Sequence, residues 1–148
     1  MALAILTLLV VGLASVVLAQ ISSPRGRNLI VPEYFEKAVE AGILTNQLKG
    51  RLTLREVEYL PNRLIHGRTM QLEQYTPEGR TSVIARAPEC FFNEASRIAS
   101  STGRLEIIAM DGRFLITGQQ GFQASLTNTA LILSNRVRTV LKQNLLQP

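Results

Sequence analysis

Along most of the chain, β-branched and large apolar residues alternate with polar ones, and the runs are separated at short intervals by Gly, Pro, Asn and Asp. A period of two predicts strands rather than amphipathic helices. The expected strands are Leu52–Tyr59, Arg68–Tyr75, Thr81–Phe92, Ile98–Met110 and two more within Arg113–Leu141. Pro61-Asn62, Thr76-Pro77-Glu78-Gly79, Asn93-Glu94 and Asp111-Gly112 supply the residues that preset or tolerate turn dihedrals, so hairpin turns are expected there. Connections this short, with no amphipathic crossover helix between strands, predict an all-β antiparallel domain, either a sandwich or a rolled sheet.

The C-terminal stretch carries the clearest pattern. Arg113-Phe114-Leu115-Ile116-Thr117-Gly118 runs through Gln119-Gln120 into Gly121-Phe122-Gln123, where the two glycines punctuate the strand as a bulge or turn would. After Thr127-Asn128-Thr129 the chain re-enters an extended run from Ala130 to Leu141. Its odd positions are Leu131, Leu133, Asn135, Val137, Thr139 and Leu141, and its even ones include Ser134, Arg136 and Arg138. One face is therefore mostly apolar and the other partly cationic. A loose echo of Arg-apolar pairs followed by Gly hints at repeated hairpins: Arg63-Leu64 with Gly67, Arg97-Ile98 with Gly103, and Arg113-Phe114 with Gly118.

The front of the chain departs from this pattern. Within residues 1–21, Met1 to Ala19 contains no charged side chain and is long enough to span a bilayer. Val17-Leu18-Ala19 before Gln20 also has the small-residue pattern of a signal-peptidase site, so a membrane anchor and a removed signal segment are both open. The anchor is the preferred reading, and either route exports the rest of the chain. Residues 22–42 read as a linker and a short helix. Ser22-Ser23-Pro24 and Gly26 have tether composition, and Pro32, with acids in the next turn and Gly42 at its end, predicts a helix over Pro32–Ala41. The β domain is then expected over residues 43–148, enough chain to bury a core without staples.

Charge narrows the partners. Lys plus Arg number 16 against 11 acids in 148 residues, and the only lysines are Lys37, Lys49 and Lys142. An Arg-rich surface suits an anionic partner, though solubility alone also accounts for it. Nucleic acid is disfavoured because aromatics are sparse, and Phe91-Phe92, Phe114 and Phe122 sit inside apolar runs instead of forming a stacking platform. Catalysis has little to work with: there is one His, one Cys, and no nucleophile elbow, phosphate loop or zinc motif. His66 is read as a surface or half-buried residue, and Cys90, between Glu89 and Phe91-Phe92, as a small buried hydrophobe. No enzyme, cofactor or metal is expected. An exported sheet of this kind can hold an amphiphile, its acyl chains inside and its anionic head at the arginines, and the competing reading is an ordinary sealed core.

Several stretches resemble one family. Ala87-Pro88-Glu89-Cys90, Ala99-Ser100-Ser101-Thr102-Gly103, Asp111-Gly112-Arg113-Phe114, Gly121-Phe122 and Leu131-Ile132-Leu133-Ser134-Asn135-Arg136-Val137-Arg138-Thr139 are similar to the periplasmic lipopolysaccharide-export proteins of the LptC kind, in the OstA-like group. They cover most of the chain from residue 87 onward. The resemblance implies a twisted, open β-jellyroll behind a single inner-membrane span, adding edge to edge with similar modules to form a periplasmic bridge for lipopolysaccharide. Its implied partners are lipopolysaccharide, an inner-membrane ABC export complex, a neighbouring β-jellyroll module and the membrane itself, with no active site. Combined with the parity of the last strands, it places acyl-chain contacts at Phe114, Ile116, Leu131, Leu133 and Val137, and edge docking at Asn135, Arg136, Arg138 and Thr139. The alternative is an anchored periplasmic adaptor whose sealed core binds only protein. Small residues at Ala85, Ala87, Ala99 and Ala109 would instead leave room inside the sheet.

Overall fold

In the computed structural model, residues 23–35, 47–109, 112–134 and 136–141 are described. Every regular element among them is a strand: β1 (Arg25–Tyr34), β2 (Leu48–Leu60), β3 (Leu64–Tyr75), β4 (Thr81–Asn93), β5 (Ile98–Ser101), β6 (Leu105–Ala109), β7 (Phe114–Gly118), β8 (Phe122–Ser125), β9 (Leu131–Leu133) and β10 (Val137–Leu141). All pairs are antiparallel, and the strands form one open sheet. No helix among the described residues is long and apolar enough to cross a membrane, and the apolar segment 1–21 lies outside them.

The expected turns form where their residues allow. Asn62 and Arg63 both have positive φ, at 61° and 57°, and Leu64 N–H donates to Pro61 C=O, the geometry of a primed hairpin turn. Gly79, at φ 81°, closes the β3–β4 turn with Thr76, and Asn93 Oδ1 accepts from the N–H groups of Ala95 and Ser96 at 2.9 and 3.0 Å. The loose Arg echo marks strand starts. Arg63 and Arg97, the latter at φ 58°, are the last turn residues before β3 and β5, and Arg113 precedes β7.

Two stretches differ from the sequence reading. Residues taken as a tether and as the opening of a helix form β1, which pairs with β2 from Arg25↔Glu58 to Tyr34↔Leu48. Breaker residues mislead here because β1 is an edge strand: Pro32 lacks a donor, which an edge tolerates and a central strand does not. Leu29 and Val31 pack on the core and hold it there. The rest of the expected helix, from residue 36, lies outside the described residues. Second, the single strand expected over Ile98–Met110 is two, β5 and β6, and the last two strands are likewise divided into β7 with β8 and β9 with β10.

These divisions share one cause. In β1 to β4 the inward positions are spaced by two residues except at one level, where each strand shows two consecutive exposed residues: Arg27-Asn28, Arg55-Glu56, Arg68-Thr69 and Pro88-Glu89. Register is the same on both sides of this level, so the four strands bend together. Asn28 and Thr69 make the bend with φ of 55° and 52°. Beyond β4 the same line falls in the breaks at residues 102–104 and 119–121 and between β9 and β10, and the sheet divides. The C-terminal half of β4 continues into β5-β8-β9 and its N-terminal half into β6-β7-β10.

The β5-β8-β9 branch turns back over β1 to β3. Arg97 donates from Nε to Glu33 Oε2 at 3.1 Å and from its terminal nitrogen to Pro32 C=O at 2.7 Å, while Lys49 and Gln74 donate to the C=O groups of Thr127 and Thr129. Between the layers lies a core with no buried polar or charged residue among those described: Leu52, Leu54, Ile65, Met70, Cys90, Phe92, Ala99, Leu105, Phe122 and Ala124 are at its centre. Apolar burial is the main stabilising term, since the lone Cys90 is free.

Two positions test this account. A methyl group on Gly67 would lie 2.6 to 2.9 Å from three side-chain carbons of Leu54, which is fully buried and has nowhere to move. Gly67→Ala is therefore expected to cost about 1–3 kcal/mol in chemical denaturation. Thr69 is β-branched and left-handed, a conformation that costs it roughly 1–2 kcal/mol. Thr69→Asn, matching Asn28 two strands away on the same bend, is expected to raise the midpoint of thermal unfolding.

Candidate functional site

The core is closed at the β1–β3 end and open at the other. Cross-strand partners share a face of the sheet, so the ladder assigns the C-terminal side chains. Leu105, Gly118 and Val137 lie in one row, Ile107, Ile116 and Thr139 in the next, and Ala109, Phe114 and Leu141 in the last. Leu105 and Ile107 are buried, so all three rows lie on the inner face. Leu131 and Leu133 pair with the buried Ala124 and Phe122 and share that face.

The five residues expected to meet acyl chains thus lie on one side of the sheet, but on two branches. Leu131 and Leu133, on β9, are half-buried against the core. Phe114, Ile116 and Val137 belong to the β6-β7-β10 branch. The branches meet where Leu133 lies over Gly118: a methyl group there would come within 3.0 Å of Leu133 Cδ2. Exposure rises along the inner face from Leu105 at 0% to Val137 at 50% and Leu141 at 56%, because no described strand lies beyond β10. Of the alanines expected to leave room, Ala85, Ala87 and Ala99 face inward and are covered, and Ala109 is half-buried.

The residues expected at the docking edge divide by face. Arg138 pairs with Thr117 and points outward, while Thr139 pairs with Ile116 and points inward. Arg136, at φ 48°, makes the bend between β9 and β10, and Asn135 lies outside the described residues. Among the described residues β1, β9 and β10 each have one unpaired side, and exposed apolar residues lie along them: Ile30, Ile132, Val137, Val140 and Leu141. A free edge with apolar side chains is an adhesive surface for another strand.

One feature escaped the sequence reading. Ile84, Ile108, Leu115 and Val140 are successive cross-strand partners on β4, β6, β7 and β10, on the face opposite the core. They give the outer face of this branch an apolar row beside the polar row of Glu106, Thr117 and Arg138, and a cleft of about 290 Å³ opens at its tip beside Ile84 and Ile108. Each strand contributes a single residue, so no local period marks the row. Only the register reveals it.

His66 stacks on Phe91 with ring centroids 4.7 Å apart and has Nε2 3.3 Å from Glu89 Oε2. Among the described residues no three His, Cys, Asp or Glu side chains gather as metal ligands. Burial pushes the Cys90 thiol up to about 12, with Glu89 adding to the shift. No family model matches this chain, and no curated protein matches it.

Cys90 yields a prediction with a definite sign. At pH 8 only about one thiol in 10⁴ would be ionised, so a thiol-reactive dye is expected to label the folded protein negligibly and the denatured protein fully. Because the native thiol keeps its proton to about 12 while the unfolded one loses it near 9, the unfolded state binds fewer protons in that window. Stability conferred by Cys90 is therefore complete below pH 9 and falls as pH rises from 9 towards 12, by about 1.4 kcal/mol per unit. Cys90→Ala should flatten that part of a stability–pH curve.

Proposed function

We propose that this chain binds lipopolysaccharide along its inner apolar face and passes it through a periplasmic bridge of similar β-jellyroll modules, in the manner of the LptC-type export proteins it resembles. The observation that carries the reading is the continuity of that face. It runs from the closed core at Leu105 and Ile107, through Ile116, to Val137 and Leu141 on an unpaired edge strand, without a buried polar or charged side chain among the described residues. Acyl chains laid there gain roughly 0.8 kcal/mol per methylene removed from water, so a short contact suffices for capture. The unpaired sides of β9 and β10 suit strand addition by the next module. On this reading the segment 1–21 is a single inner-membrane span, an ABC export complex supplies the energy, and the chain needs no catalytic group or cofactor.

A sealed-core adaptor that binds only protein is the second reading, favoured by the covered state of Ala85, Ala87 and Ala99. Photo-crosslinking separates the two. With a photo-reactive residue at one position and lipopolysaccharide present, adducts are expected at Leu133 and Val137, on the inner face, and not at Arg138, on the outer. Equal labelling at all three, or none from a folded protein, would overturn the conduit and leave the adaptor.

A further inference from the structure

The outer face of β2, β3 and β4 carries a polar network that the conduit reading does not use. Glu73 Oε2 accepts from Arg51 Nε at 2.8 Å, from its terminal nitrogen at 2.6 Å and from the Tyr75 hydroxyl at 3.0 Å. Its other oxygen accepts from Gln71 Nε2 at 3.2 Å, and Gln71 Oε1 in turn accepts from Arg86 Nε at 3.2 Å. One carboxylate, with its side chain only 14% exposed, thereby orients an arginine on each neighbouring strand, one directly and one through a glutamine.

That carboxylate is saturated, whereas the cationic side is not. Arg86 uses Nε for Gln71, and its terminal nitrogens make no ion pair among the described residues. Its cross-strand neighbour Glu106 lies 3.7 Å from Arg104. Arg55, exposed at the bend, makes no hydrogen bond or ion pair among the described residues. Arg51, Arg55 and Arg86 line a single cleft of about 480 Å³ together with Thr53, Thr69 and Gln71, and Glu73 is its only acid. Arg55 keeps the outward parity of Arg51 and Thr53 on β2 and lines the cleft where the strands bend.

We propose that this cleft binds a phosphate-type oxyanion through the free guanidinium groups of Arg55 and Arg86. Two planar forks, from β2 and β4 on either side of β3, suit a tetrahedral oxyanion, and the threonine hydroxyls supply further donors. The volume exceeds that of one phosphate group, so the group esterified to it fits as well. The phosphate belongs either to a soluble ester or to a lipid headgroup. Because the cleft faces away from the core, the proposal is independent of lipid passage along the inner face.

The test uses the full chain and two probes. Inorganic pyrophosphate, titrated calorimetrically, reports a soluble oxyanion, and co-sedimentation with phosphatidylglycerol against phosphatidylcholine vesicles reports a headgroup. The Arg55→Gln/Arg86→Gln double variant is expected to weaken binding at least about tenfold. Arg68→Gln, which removes an arginine set 3.8 Å from Glu56 on the next row, is expected to change it less than about twofold. Both variants must keep the wild-type unfolding transition. Saturable pyrophosphate binding lost in the double variant supports a soluble ester. A preference for phosphatidylglycerol vesicles lost in the double variant, without pyrophosphate binding, supports a headgroup. No saturable binding to either probe, or equal loss in Arg68→Gln, would overturn the proposal.

Discussion

A single antiparallel sheet with one apolar face has nothing but itself to bury that face against. Leu52, Leu54, Met70, Leu72, Leu105 and Phe122 would all be wet on a flat sheet, and without a helix among the described residues only another part of the same sheet can cover them. The solution is a bend at one level in every strand. Each of β1 to β4 adds a second exposed residue there without losing register, so the inward set continues on both sides of the bend. Left-handed backbone at Asn28 and Thr69 is the local cost of that continuity, offset by an apolar core with no buried polar side chain among the described residues.

The bend also dictates where the sheet remains unfinished. Once β5-β8-β9 has turned back over β1 to β3, held by Arg97, Lys49 and Gln74, the β6-β7-β10 branch is left projecting on the other side of the line. Its inner rows extend the core outward to β10, where no other described residue covers them. Its outer row of Ile84, Ile108, Leu115 and Val140 adds a second apolar surface. Closure at one end and exposure at the other therefore follow from a single architectural choice, and the proposed conduit occupies the open end.

Apart from the Arg97–Glu33 pair that ties the layers together, the charge pairs among the described residues lie on the outer face. Arg27, Glu56, Arg68 and Glu89 occupy one cross-strand row with alternating sign, a ladder whose members largely neutralise one another. On the other side of the bend the row of Thr53, Gln71 and Arg86 meets an acid only at Glu106, and the cleft gathers Arg51, Arg55 and Arg86 around Glu73.

Local pattern alone determined the all-β class, the antiparallel order of the central strands, the hairpin turns at Pro61-Asn62, Thr76–Gly79 and Asn93-Glu94, and the shared face of Phe114, Ile116, Leu131, Leu133 and Val137. These depend on side-chain alternation and on turn residues a few positions apart, information that is complete within a short window. The parity of the C-terminal strands survived their division because the break between Leu133 and Val137 spans an even number of steps. Tertiary structure alone decided what depends on partners distant in sequence. β1 is a strand because Glu58 to Leu48 lies beside it, not because Ser-Pro-Arg-Gly favours extension. The bend through Arg55, Thr69 and Pro88 has no common residue type, since what defines it is alignment across strands. The outer aliphatic row and the Glu73 network draw their members from separate strands. Their physics is contact at fixed register, and register exists only once the sheet has formed.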